Sequence, residues 1–346
     1  RRGNRAMTYL MTLDLPMIWA GLIAVAVLAY VALDGFDLGV GILFAVERDD
    51  TDRDVMVNTV APVWDGNETW LILGGGGLFA VFPLAYATIM PALYPTMIGM
   101  LLALVFRGVA FEFRFRAQTR PGRRLWDIAF LAGSAFAAFC QGLTLGGLLQ
   151  GIKVENRAYA GGWLDWLTGF SILCGIALVV GYALLGATWL VWRTDGELQR
   201  RARRHARALG AATLGLIVVV SLWSPMLNPV FAQRWFAWPG ILLTSPVPVL
   251  MLLLAWSFWR GLSRGSDVQP FLSALGWFVL CFAGLGISIW PMMVPPSVTI
   301  WDAAAPPESQ AFLLVGALVL VPLVLAYTGY AYWIFRGKVR PGAHYH

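Results

Sequence analysis

Long apolar runs, each about the length of a bilayer crossing and separated by short polar loops, dominate the chain. Nine are legible, at 15–46, 56–82, 86–112, 125–149, 163–192, 206–227, 241–259, 271–294 and 311–335. Crossing takes about 20 mostly apolar residues at about 1.5 Å rise each, so every run predicts a transmembrane helix. The short loops predict antiparallel neighbours packed in bundles. Pro246 and Pro248 interrupt the seventh run near its start. The expected fold is an all-α polytopic membrane protein with nine transmembrane helices in one membrane domain, 15–336. Residues 1–14 read as an N-terminal extension and 337–346 as a tail.

Charge adds orientation. Of 25 Lys and Arg, the loops after the odd-numbered runs and the C-terminus hold eighteen, counting Arg207 at the edge of the sixth run with its loop, and the opposite set holds six. The remaining one, Arg107, lies inside a run. Basic residues favour the cytoplasmic face, so the chain is expected to start outside and end in the cytoplasm. The net charge of +6 therefore reports topology and not nucleic acid, because the basic residues sit in short loops between apolar runs. Arg200, Arg201, Arg203, Arg204 and Arg207 read the same way, as topogenic charge beside anionic membrane lipid. The composition agrees: 59% hydrophobic, 13% charged, mean hydropathy +0.69.

Acids inside the runs stand out against this background. The stretch APVWDGNETWLILGGGG at 61–77 places Asp65 and Glu68 three residues apart, on one helix face, with Trp64 and Asn67 beside them. Asp34 and Asp37 repeat that spacing in DGFDLGVG. The expected topology brings both pairs, with Arg107 and Glu112 of FRGVAFEFR, to the same cytoplasmic half. A carboxylate at membrane depth costs at least ~2.5–3.5 kcal/mol, so it faces the bundle interior and finds partners. A structural ion pair with Arg107 is the plain alternative to a proton path or ion site. Four acids exceed what one arginine neutralises, which favours proton handling. Gly74, Gly75, Gly76 and Gly77 have no side chains and allow close approach of another helix or a partner chain. No Lys-Ser/Thr follows them and no strand precedes them, so a phosphate loop is excluded.

Other chemistry is sparse. Cys140, Cys174 and Cys281 are isolated in apolar runs, without metal-ligand spacing. His205 lies in a basic stretch and His344 and His346 in the tail, so no run offers histidine to a haem. The proline-rich loop 290–307 reads either as a docking surface or as an ordered turn.

DGFDLGVG, APVWDGNETWL, FRGVAFEFR, the Trp126–Asp127 pair, Gly133–Ser134, LLQG and WPMMVPPSVTIWDA resemble, in order over nearly the whole chain, subunit II of cytochrome bd-type ubiquinol oxidases. DLPMIWA and FEFRFRA are most similar to the cyanide-insensitive branch. The resemblance implies a multi-pass protein of the bacterial cytoplasmic (inner) membrane, with two four-helix bundles and one peripheral helix. It implies a complex that oxidises quinol and reduces O2 to water, with haems b and d, or b only, held by the partner subunit I. Subunit II in that family is haem-free and supports assembly, and a small single-helix accessory subunit occurs in some complexes. The family's proton-delivering aspartate falls on Asp65, and a tryptophan associated with oxygen access falls on Trp70. Asp34, Asp37 and Glu68 would then act as relays, Asn67 as hydrogen-bond support, and Arg107 as the counter-charge. A proton-coupled transporter is the rival reading. Transporters usually show internal repeats, and DGFD and WDGN each occur once.

Overall fold

The computed structural model describes residues 13–340 and 342. Eight described helices are long and apolar enough to cross a membrane. In chain order the elements are α1 (Leu15–Ile42), α2 (Asp50–Val60), α3 (Trp64–Val81), α4 (Pro83–Arg116), α5 (Arg120–Gln150) and α6 (Gly169–Arg193). They continue as α7 (Gly196–Leu227), α8 (Pro229–Phe236), α9 (Gly240–Thr244), α10 (Pro246–Ser263), α11 (Gln269–Ile289), α12 (Ile300–Ala303) and α13 (Pro307–Ile334). Two antiparallel hairpins, β1 (Val154–Glu155) with β2 (Ala158–Tyr159) and β3 (Met292–Val294) with β4 (Val298–Thr299), lie in loops.

Local chemistry sets the helix starts. Asp14 accepts from the Met17 amide and Thr119 from the Gly122 amide, while Thr168 and Ser171 cap α6 reciprocally. Each side-chain oxygen satisfies an amide that the first helical turn leaves free. Of the expected N-terminal extension, only residues 13 and 14 fall within the described part. The expected tail carries Lys338, which bridges Asp195 and Asp267 at 2.7 Å each.

The second apolar run departs from expectation. It folds as α2 and α3, with a break at 61–63, and not as one rod from residue 56. Its first part is polar on one side and buries Val55, Met56, Val57 and Val60 on the other. α3 alone, at about 1.5 Å per residue, spans roughly 27 Å. Asp65 and Glu68 thus lie in its first turns. The Arg200–Arg207 stretch also differs: it extends α7 by several turns beyond the apolar run, and His205 is on that helix.

α1 is the central strut, packed against α3, α5 and α6. Glycines make this possible. A Cβ on Gly39 would lie 1.8 Å from the Tyr182 carbonyl oxygen, and one on Gly186 would lie 2.3 Å from the Gly39 carbonyl carbon. Backbones this close exclude any larger residue. Phe36 stacks on Trp189 of α6 at 4.1 Å between ring centroids, just beside that contact. α13 packs over a few residues against α1 and α3, its Tyr332 ring also meets Trp189 of α6 edge-on at 6.3 Å between centroids, and most of its apolar side chains are exposed.

Candidate functional site: three carboxylates around a buried arginine

Arg107 is completely buried near the basic end of α4. Gly133 of α5 makes the room, since a Cβ there would sit 2.7 Å from the Ala103 carbonyl and 3.0 Å from the Arg107 amide. Stacked rings of Trp64 and Phe111, 4.8 Å apart, stand beside the guanidinium, whose carbon is 5.9 and 5.6 Å from them. Aromatic faces of this kind favour a desolvated cation.

Three acids from two other helices close on it. Arg107 Nη1 donates to Asp34 Oδ1 at 2.8 Å and to Glu68 Oε1 at 2.7 Å. Its Nη2 stands 3.9 Å from Asp37 Oδ2, which instead accepts from Asn67 Nδ2 at 2.7 Å. Asn67 also donates to the Leu33 carbonyl and accepts from the Tyr332 hydroxyl at 3.0 Å, tying α13 to the site. Asp34 and Asp37 are fully buried, while Glu68 is a quarter exposed. The site therefore grades from a dry interior to an open edge.

Asp65 lies at that edge. It is exposed, one turn before Glu68, on a stripe of α3 with Thr69, Ile72, Gly76 and Phe79 that the chain leaves uncovered. Trp70 faces inward and packs with Ala26 and Tyr30. Of the four glycines, Gly74 and Gly77 meet Val27 and Ile23 of α1, and Gly75 and Gly76 have open space before them.

Glu112 lies at the same end of α4 but does not join this cluster. It is exposed and pairs with Arg116 at 3.3 Å, not with Arg107 or the acids around it. Five residues along a helix turn a side chain about 140° away, so the two cannot share a face.

Sequence reasoning missed a second ionic cluster at the basic end. Arg114, as buried as Arg107, donates to Asp127 at 2.5 Å and to Asp54. Arg53 reaches Asp127 at 2.8 Å and also the Glu47 and Phe44 carbonyls. Arg123 joins Asp54, and Arg201 joins Glu47 at 3.1 Å and Asp52. Burial pushes the Asp54 carboxyl up, but hydrogen bonds from Arg123 and Arg114 outweigh it and hold it below the ordinary carboxylate value. Also missed were Tyr332 and a polar branch through Tyr30, Gln141 and Tyr182. Gln141, a lone amide in an apolar run, was the available signal. Among the described residues no three His, Cys, Asp or Glu side chains are grouped to hold a metal ion.

An uneven ionic cluster inside apolar helices defines an integral membrane protein with a buried, charge-unbalanced site within its bundle. The particular family is set by comparison: the chain belongs to the cytochrome bd terminal oxidase subunit II family, whose model matches residues 15–335. It is similar to cytochrome bd-I ubiquinol oxidase subunit 2 of Escherichia coli K12, with 31% identity over 94% of this chain and 95% of the relative. Cytochrome bd ubiquinol oxidase subunit 2 of Bacillus subtilis shares 29% identity over 93% and 96%. The fold matches the bd oxidase structure from Geobacillus thermodenitrificans with a TM-score of 0.75, covering 92% of this chain and 97% of that one, at 20% identity. The chain is thus a subunit of a respiratory quinol:O2 oxidoreductase and works with subunit I of that complex.

Proposed function

We propose that this chain delivers protons from the cytoplasm to the partner subunit in a ubiquinol oxidase of the bacterial inner membrane. The observation that carries this reading is the charge count at Arg107. Three carboxylates around one guanidinium cannot all be neutralised by it, and at least one can hold an exchangeable proton. Asp65 accepts from water at the rim. Glu68, Asp34 and Asp37 pass or tune the proton behind it, and Asn67 orients Asp37.

The uncovered α3 stripe that carries Asp65, with Gly75 and Gly76 open beside it, fits a face seated on subunit I. Trp70, buried next to this stripe, lies where a hydrophobic oxygen route would skirt the site. The basic end is then cytoplasmic. Helices α1, α3, α4 and α5 form one four-helix bundle and α6, α7, α10 and α11 the other, with α13 peripheral.

The family implies haems b and d, or b only. The described histidine of this chain, His205, lies on the basic extension of α7 and offers no ligand within the apolar core. These residues do not fit a haem, and the haems are assigned to subunit I. In an assembled, haem-replete complex, Asp65→Asn should lower oxidase turnover by about 10²-fold, the lower range for a positioned proton-transfer group. Full turnover at normal haem content would remove Asp65 from the path.

A further inference from the structure

A second polar branch leaves the site on the side away from Asp65. Tyr30 lies one turn before Asp34 on α1, so the two share a helix face. Its hydroxyl oxygen receives Gln141 Nε2 of α5 at 2.7 Å, and Gln141 Oε1 receives the Tyr182 hydroxyl of α6 at 2.8 Å. α1 and α6 meet at the close contact of Gly39 with Gly186, α5 closes on α1 at Gly41 and on α6 at Gly142, and Tyr182 lies directly over Gly35, between the two aspartates in sequence.

The branch has a polarity. A primary amide nitrogen only donates, so Tyr30 must accept from Gln141 and its own proton must point elsewhere. Asp34 offers the place. Arg107 uses its Oδ1, and Oδ2 is buried with no hydrogen-bond partner, an acceptor left open beside the branch. Tyr30 shares that helix face one turn earlier, so its free hydroxyl proton can be turned to the open oxygen. On its far side the branch ends at Tyr182, which stacks on Phe278 at 5.7 Å in the apolar core.

We infer that Tyr30 is a positioning residue: it donates its hydroxyl to Asp34 Oδ2, and the branch behind it holds that donor in place without conducting protons. Asp34 then has two donors, Arg107 and Tyr30, and stays the ionised partner of the arginine. Asp37, with only the neutral Asn67 amide at hydrogen-bond distance, and Glu68, at the open edge, are left to carry the exchangeable proton. The groups facing Asp34 are Arg107 from α4, Glu68 from α3, Tyr182 from α6, and Asp37 and Tyr30 on its own helix. The inference deepens the proton-path reading and rests on its choice of site.

The test is a pH titration of carboxyl infrared bands in the purified oxidase complex, with isotope-labelled aspartate to isolate the aspartate signals. Tyr30→Phe removes a hydrogen bond to a charged group and should move one aspartate band upward by about one to two pH units. A fluorinated tyrosine at position 30 keeps the shape and strengthens the donor, so it should move the same band downward. Gln141→Leu keeps the donor but loosens its hold, and should shift the band in the same direction by less than half as much as Tyr30→Phe. Bands that stay put in both position-30 variants overturn the inference. If Tyr30→Phe does not assemble, the fluorinated residue alone decides. The pH profile of turnover, read on the same samples, separates the two proposals. Shifted bands with an unmoved profile keep Tyr30 in its role and sink the proton path.

Discussion

Two ionic clusters share the basic half of this molecule, and they are built to different stoichiometries. The outer one sets Arg53, Arg114, Arg123 and Arg201 against Glu47, Asp52, Asp54 and Asp127, four of each sign. The inner one sets Arg107 against Asp34, Asp37 and Glu68. Balanced charges stitch the segment between α1 and α2 to α2, α4, α5 and α7 at their basic ends, and little is left over to titrate. The inner excess of carboxylate has no such use in holding helices together. Uncompensated charge in a dry setting destabilises the fold, so its presence points to a task.

The comparison can be broken at its strongest point first. Arg107→Leu leaves three acids without their cation, a change worth about 3–5 kcal/mol for a buried pair. The complex should largely fail to accumulate, as measured by its yield from membranes through a tag on this chain. Adding Asp34→Asn and Asp37→Asn to that variant should recover part of the yield. No recovery would mean that packing of the arginine, and not charge excess, is what the site requires.

A smaller effect sharpens the other side. Arg201→Leu removes one member of the balanced cluster at a partly exposed position, where such pairs contribute about 1 kcal/mol or less. Thermal stability of the complex should fall slightly while turnover per haem stays at the unaltered level. A turnover loss as large as that of Asp65→Asn would erase the functional distinction between the clusters.

The smallest effect is in pH dependence. Asp54 titrates below its ordinary value in the folded chain. Its contribution is therefore present above the unfolded carboxylate value and is lost as pH falls through the lower, folded one. A melting series on the acid side should show this loss, and Asp54→Asn should flatten that part of the curve.

How much of this was legible in the residues follows from the same contrast. Acids in apolar runs are conspicuous because burial makes them costly, so Asp34, Asp37, Asn67, Glu68 and Arg107 were picked out and do converge. Glu112 lies at the same end of α4 as expected but outside the cluster, because the helical period turns it about 140° from Arg107. The outer cluster went unread for a different reason. Charges in loops between runs carry a topogenic meaning sufficient by itself, and nothing in Asp54 or Arg201 alone tells a paired residue from a solvated one. Tyr30, Tyr182 and Tyr332 looked like the packing aromatics around them, since only a partner's position reveals what a hydroxyl is for. The break at 61–63 was hidden because Ala61, Pro62 and Val63 are themselves apolar and so extend the run that they divide.

That break has a consequence in time. A helix that begins at Trp64 starts with amide hydrogens that no preceding carbonyl of its own helix receives, and these lie in the turn that carries Asp65 and at the edge where Glu68 is reached. Such amides trade their hydrogens with water sooner than those in the middle of α1, locked against α6 by Gly39 and Gly186. The clock of the molecule therefore runs fastest at the doorway and slowest at the strut behind it.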